Sequence, residues 1–308
     1  MSIGVSVDDS NWLTALAGLP SVDSIEPLDG GWDNSNSLLT LSDGTRLVLK
    51  IWNAQSEKGV RTVIERQLYL QQHGIPTSVP IQLADDERYA LRGGVAWTLM
   101  PFVDGGMLST DSSALESLGE SMAMMHDIPL ADCFSRDYRM GWSLFERMYK
   151  DSGPEAQWPE FIARLRNESV ELKGQIPNNL PEGILHGDLF PDNVIGGNSV
   201  AAIIDFEEAW IGPCVFDLVM AFVGCGWQDG VPVLERWDAL LTGYQSVRPL
   251  TESEKRALPA IYRYATLSIA AWRYWKHVMS DPVEEFADRY LEMLNRLDFP
   301  FDFPEEVQ

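Results

Sequence analysis

Cysteine is scarce in this chain of 308 residues. There are three, Cys133, Cys214 and Cys225, an odd number with no close C-x-x-C pair. That pattern excludes a disulfide framework and a cysteine-based zinc site, and leaves buried thiols as the expectation. Basic residues are also few: 23 lysines and arginines stand against 46 aspartates and glutamates, a formal net charge of −23. A surface of that sign is repelled by phosphate backbones and anionic lipid headgroups, so neither nucleic acid nor membrane is an expected partner. Long apolar runs are missing too. The best of them, "PCVFDLVMAFVGCGW", is too short to span a bilayer and carries Asp217 inside it. The first residues, "MSIGVSVDDSNW", lack the basic and apolar regions of an export signal, which makes a cytoplasmic protein the expectation.

What is present is apolar residue enough, 45% of the chain, for one large or two medium cores. The runs "SLLTL" and "RLVLKIW" alternate apolar and polar positions around "SDGT", which predicts a strand, a tight Asp-Gly turn and a returning strand. In "SEKGVRTVIERQLYLQQHGIP" the apolar residues Val60, Val63, Ile64 and Leu68 recur at helical spacing, with Ser56 placed to cap the start. A second strand-like pair, "PIQLADDERYAL" and "GVAWTLMPFV", follows before "DGG" breaks the pattern. From about Thr110 the periodicity is mostly helical. The expected fold class is therefore α+β: a small β-rich lobe over residues 1–103 with one helix inserted, a hinge at 100–106, and a larger helical lobe over 104–308.

The stretch "ILHGDLFPDNVIGGNSVAAIIDFEE" interrupts the helical lobe with polar groups in an apolar setting. Four residues separate Asp188 from Asn193, and Asp205 follows an apolar run that reads as a short hairpin. This is the spacing protein kinases use, where an aspartate accepts the substrate hydroxyl proton while an asparagine and a second aspartate hold magnesium. Hard oxygen donors suit Mg2+, and a fixed carboxylate can align a hydroxyl with a γ-phosphate. Taken singly, each of these residues caps a turn. Taken together with Lys50 at the end of a strand and Glu65 on the next helix, they keep the order of a nucleotide site. The loop "LDGGWDNSNS", with Asn34, Ser35 and Asn36, lies where backbone N–H groups would cover phosphates.

These motifs resemble the aminoglycoside phosphotransferase and choline kinase superfamily, small-molecule kinases with a bilobal protein-kinase-like fold. "LGESMAMMHDIP", "LHGDLFPDN" and "IIDFEEAWIGPCVFDL" carry the resemblance, which extends over nearly the whole chain. It implies that Asp188 is the catalytic base or orienting residue and that Asn193 and Asp205 bind Mg2+. Lys50 with Glu65 would position ATP, and the hinge "TLMPFVDG" would hold adenine through the Pro101 carbonyl and the Val103 amide. His186 and Asp217 would organise the loop, the first by packing behind it and the second by hydrogen-bonding its backbone. A protein kinase proper is disfavoured, because eleven residues separate Asp205 from Asp217, too few for an activation segment, and no A-P-E follows. A stress-response kinase of the superfamily that acts on protein serine and threonine stays as an alternative, through its similarity to "IGPCVFDL".

Two stretches, "DNSNSLL" and "ALLTGYQSVRPLTESEKRALP", are similar to the homoserine kinases of this fold. Trp227 and Arg273 fall where that subfamily has a tryptophan and an arginine, and an arginine suits an amino-acid carboxylate. The chain departs from the subfamily at Asp205-Phe206-Glu207-Glu208-Ala209, usually D-F-Y-F-A, and at Ser268-Ile269-Ala270. The carboxylates of Glu207 and Glu208 favour a cationic or polyhydroxylated acceptor over a carboxylate. Trp210 and Trp227, with Trp272 and Trp275, suit a cation–π cage, although core packing is the simpler reading of most. The expectation is an ATP- and Mg2+-dependent phosphotransferase acting on a small-molecule hydroxyl. Homoserine or a related amino alcohol leads; choline, ethanolamine, a sugar or an aminoglycoside follows. A catalytically silent nucleotide-binding protein is the rival, and no oligomeric state follows from the sequence.

Overall fold

The structure, a computed structural model, describes residues 5–28 and 34–304. Asp29 to Asp33, the centre of the proposed phosphate loop, lie outside the described residues. The chain divides into two compact units, residues 1–106 with 201–206, and residues 107–200 with 207–308. The division is thus not the single cut at 103 expected from the sequence. The segment 201–206 joins the first unit because Ile203 N–H donates to the Pro76 carbonyl and Lys50 pairs with Asp205.

The first unit opens with helix α1 (Val7–Leu16), capped by Ser6, followed by strands β1 (Val22–Leu28), β2 (Ser35–Leu41) and β3 (Arg46–Ile51). Helix α2 (Glu57–Gln72) comes next, then β4 (Ala90–Arg92) and β5 (Val95–Pro101). The strands form one antiparallel sheet in the order β1-β2-β3-β5-β4. The β2–β3 turn is the expected one. Gly44 takes φ 85°, a conformation that favours glycine, and the Asp43 side chain accepts from the Thr45 N–H. This turn sets the register that puts Asn36 opposite Lys50, and Lys50 opposite Thr98 on β5. Leu39, Leu41, Leu47, Leu49 and Ile51 are buried, as strict alternation along β2 and β3 requires for one face and the strand ends. The arm "PIQLADDERYAL" is not the full strand expected: only Ala90–Arg92 pairs as β4. Asp86 turns the chain at φ 65° within a run of three acidic residues, and such turn chemistry prevents a continuous ladder.

After β6 (Gly106–Met107), the second unit contains α3 (Ser112–Asp127), α4 (Trp142–Asp151) and α5 (Glu160–Gln175). Short strands β7 (Glu182–Leu185) and β8 (Val194–Gly196) follow, then β9 (Val200–Ile203), whose residues from Ala201 belong to the first unit, and β10 (Trp210–Pro213). Helix α6 (Val215–Cys225), strands β11 (Trp227–Gln228) and β12 (Val231–Pro232), and helices α7 (Leu234–Val247), α8 (Glu252–Tyr274) and α9 (Tyr290–Asp298) complete it. The apolar run of residues 213–227 contains α6, whose residues from Val215 to Val223 are buried in this unit. Among the described residues, no helix is long and apolar enough to cross a membrane. Helix α3 lies so close to α7 that a Cβ on Gly119 would stand 2.2 Å from the Leu240 carbonyl oxygen. Strand β10 pairs antiparallel with β7, which ends at Leu185 and delivers the chain into the polar stretch.

Candidate active site

The loop after β7 is held from behind. Asp217, fully buried in the first turn of α6, accepts the His186 N–H at 2.5 Å and the Gly187 N–H at 2.9 Å. His186 is also fully buried, and its Nδ1 accepts from the Asp188 N–H at 3.2 Å. Both side chains thus accept from backbone N–H groups of the loop. Gly187 adopts φ 83°, and a Cβ there would meet the Glu208 carbonyl oxygen at 2.9 Å, so this position tolerates only glycine. Tyr138 closes the other side by donating its hydroxyl to the Gly187 carbonyl at 2.7 Å. Burial, with Asp188 and Glu208 adding to it, drives the Tyr138 phenol well above its ordinary pKa, so it remains a donor.

With the backbone so held, Asp188 and Asn193 meet. The Asn193 amide nitrogen donates to the Asp188 carbonyl at 2.7 Å and to its carboxylate Oδ2 at 3.2 Å. These two bonds use both amide hydrogens and leave the Asn193 carbonyl oxygen as an oxygen ligand, an assignment that follows from the hydrogen-bond network.

In the first unit, Lys50 donates to Asp205 at 3.2 Å while its ammonium lies 4.1 Å above the Trp52 ring. Asp205 has φ 69°, a conformation rare for a residue with a side chain, and such strain persists where function maintains it. Glu65 is a correction. It is exposed and forms no ion pair with Lys50, because the buried stripe of α2 runs through Val60, Val63, Ile64, Gln67 and Leu70, and Glu65 lies opposite that stripe. The next residue, Arg66, is buried instead and donates to the Phe206 carbonyl at 3.0 Å, one residue after Asp205. At the hinge, Ser78 donates its hydroxyl to the Pro101 carbonyl at 3.1 Å, which leaves that oxygen one further acceptor site. The Val103 N–H has no partner among the described residues. Ser35 accepts from the Asn53 amide, and Asn36 stands opposite Lys50.

The expected acceptor residues do not share one setting. Glu208 pairs with Arg139 at 3.2 Å and is mostly buried; Glu207 precedes it in a 3-10 turn. Trp210 stacks on Tyr138 with ring centroids 5.0 Å apart and is buried in β10. Trp227 is also buried, with the Arg296 guanidinium over its ring. Arg273 is a second correction. It donates to Glu292 at 2.7 Å and to the Arg289 carbonyl at 3.1 Å, which ties α8 to the start of α9. The carboxylate it meets is therefore one from its own chain. Arg66, Tyr138 and Arg139 were missed in the sequence. Only Arg66 had a signal there, as a polar residue bordering the apolar stripe of α2.

A loop aspartate hydrogen-bonded to an asparagine in one unit, and a strand lysine paired to a strained aspartate in the other, are each parts that phosphoryl-transfer enzymes of the kinase type use. Residues 24–250 match the model of the phosphotransferase enzyme family, more than half of the chain, and the chain belongs to that family. It is a small-molecule kinase with a hydroxyl acceptor. It is similar to a protein named homoserine kinase from Rhizobium rhizogenes, 28% identical over 269 residues covering 85% of this chain and 84% of that one. Among solved structures it is similar to an amicoumacin kinase in complex with AMP-PNP, Ca2+ and Ami, at TM-score 0.72, 16% identity and 96% of each chain. A microcompartment-associated aminopropanol kinase matches at TM-score 0.71, 16% identity and 95% of each chain.

Proposed function

We propose that the protein transfers the γ-phosphate of ATP to the side-chain hydroxyl of homoserine or a closely related amino alcohol. The observation that carries the phosphoryl-transfer part is the doubly tied Asn193 amide, which orients an oxygen ligand outward and holds the Asp188 carboxylate at the same time. The Asp188 carboxylate takes the acceptor hydroxyl proton as the acceptor oxygen bonds to the γ-phosphorus, and the bond from phosphorus to the leaving ADP oxygen breaks. Lys50 and the backbone around Asn34, Ser35 and Asn36 hold the phosphates, and the Pro101 carbonyl and Val103 N–H receive adenine. Asn193 and Asp205 would hold Mg2+, which supplies charge neutralisation at the transferring phosphate. Among the described residues no group of three or more His, Cys, Asp or Glu side chains is placed to hold a metal. That suits an ion that takes one or two protein ligands and the rest from phosphate and water.

The acceptor reading draws on the relatives named homoserine kinase, which cover most of this chain at 26–29% identity. Glu207 and Glu208 suit the ammonium of such an acceptor rather than its carboxylate, and Glu208 already pairs with Arg139. The test is a panel of homoserine, aminopropanol, ethanolamine, choline, a hexose and an aminoglycoside, each with MgATP and ADP release as readout. Homoserine is expected to give the highest kcat/KM; a choline or aminoglycoside optimum would refute the amino-acid reading, and no ADP release with any acceptor would refute the enzyme reading.

A further inference from the structure

The motif "MAMMHDIP" ends α3 with a buried histidine that the reaction as described does not use. We propose that His126, with Tyr244 and Arg248 behind it, is a positioning residue: it holds the Asp217 carboxylate in the one orientation that offers an oxygen to each loop amide. The proposal rests on the reading of His186–Asn193 as the phosphoryl-transfer loop.

The geometry sets the direction of every bond in this chain of contacts. Asp217 Oδ2 lies 2.5 Å from the His186 nitrogen and 3.5 Å from His126 Nε2, and Oδ1 lies 2.9 Å from the Gly187 nitrogen. A carboxylate only accepts, so His126 Nε2 carries the hydrogen facing it. In the neutral ring Nδ1 is then an acceptor, and the Tyr244 hydroxyl at 2.8 Å donates to it. The Tyr244 oxygen in turn accepts from Arg248 Nη1 at 3.1 Å, and a guanidinium only donates. Arg248 is fixed by the fully buried Glu254 at 2.9 Å, which also closes the capping box of α8 on Thr251. Burial drives the Tyr244 phenol far above its ordinary pKa, so its hydrogen stays in place to donate.

The alternative arrangement leaves a buried group unmatched. A doubly protonated His126 would donate from Nδ1 to the Tyr244 oxygen, which already accepts from Arg248, and the phenol hydrogen would lose its acceptor. Side chains of α3, α6, α7 and α8 thus form one directed hydrogen-bond chain that ends on the backbone N–H groups of His186 and Gly187. Directed chains of this kind polarise their members and fix orientation more firmly than their bonds do singly. Gly119 and Gly243, which let α3 and α7 approach within backbone contact, bring His126 and Tyr244 to this distance.

The test uses the full-length protein with MgATP and the acceptor that the panel identifies, each variant assayed well below its own Tm. His126→Leu is expected to lower kcat about 10- to 100-fold with KM for ATP within about twofold. His126→Gln, whose amide offers a donor where Nε2–H stands, is expected to recover most of that loss. Tyr244→Phe removes one oxygen and is expected to lower kcat about three- to tenfold. Nitrogen-detected NMR of the four histidines is expected to show His126 in the Nε2–H form at neutral pH, a readout independent of turnover. Wild-type kcat in His126→Leu, equal loss in the Leu and Gln variants, or the Nδ1–H form would overturn the proposal. If His126→Leu does not fold, Tyr244→Phe and the NMR signature decide it, and wild-type kcat in Tyr244→Phe then counts against it. Wild-type turnover in Asp188→Asn would instead sink the loop assignment itself.

Discussion

Replacing Glu65 with alanine should leave the use of ATP unchanged, whereas replacing its neighbour Arg66 should not. A strand lysine and a helix glutamate are the expected couple of a kinase fold, and here the couple does not form. Glu65 is exposed and pairs with no cation among the described residues, so Glu65→Ala removes solvated surface worth within about 0.5 kcal/mol, roughly a twofold change in KM at most. Arg66→Met acts differently. It removes the buried charged donor from which the Phe206 carbonyl accepts, and the loss of such a hydrogen bond costs about 1–3 kcal/mol. That carbonyl follows Asp205, whose backbone is already strained at φ 69°, so the loss reaches the residue assigned to the metal. A fall in kcat/KM for ATP of about five- to 150-fold is expected, and Lys50→Met should lose at least as much. The assay is initial ADP release against ATP concentration at fixed acceptor, with Tm measured for each variant. Equal, large losses in Glu65→Ala and Lys50→Met would refute the reasoning, because they would require the ion pair that this geometry lacks.

Asp188→Asn should abolish phosphate transfer while ATP affinity, measured by calorimetry, stays within about threefold, since the proposal assigns the phosphates and adenine to other residues. Gly119→Ala and Gly243→Ala each drive a Cβ into a backbone carbonyl, at 2.2 Å and 1.8 Å; each should cost about 1–3 kcal/mol and lower Tm by about 2–10 °C. Burial raises the thiols of Cys214 and Cys225 to about 12, above an unfolded value near 8.5, so both should resist a thiol reagent at pH 8 until the protein is unfolded. The linkage runs with that sign. Their contribution to stability is complete below about pH 8.5 and is lost as pH rises toward 12, which a set of urea titrations between pH 7 and 10 would detect.

Much of the site was legible before any fold was known, because its chemistry is local. Asp188, Asn193 and the buried supports His186 and Asp217 lie in two short stretches whose spacing encodes a tight loop and the helix behind it. The β2–β3 hairpin was equally local, since Asp43 and Gly44 specify their turn and the turn specifies the register that seats Lys50. The elements read less well were those where local pattern competes with turn chemistry or with long-range partners. The arm before β4 alternates like a strand, yet Asp85, Asp86 and Glu87 bend it. Glu65 has the right distance in sequence from Lys50, yet the apolar stripe of its own helix turns it outward, a conflict the periodicity of Val60, Val63, Ile64 and Leu70 already contained.

By itself, the sequence determined the class of fold, the polar loop proposed for phosphoryl transfer and the family resemblance, because hydrophobic periodicity, turn residues and motif spacing are properties of neighbours along the chain. Only the tertiary structure decided which cations and anions meet. Lys50 with Asp205, Arg66 with the Phe206 carbonyl, Arg273 with Glu292, and His126 between Asp217 and Tyr244 are pairings across 155, 140, 19, 91 and 118 residues respectively. Charge and hydrogen-bond partners depend on distances in space, and burial decides which of them the chain must satisfy from within.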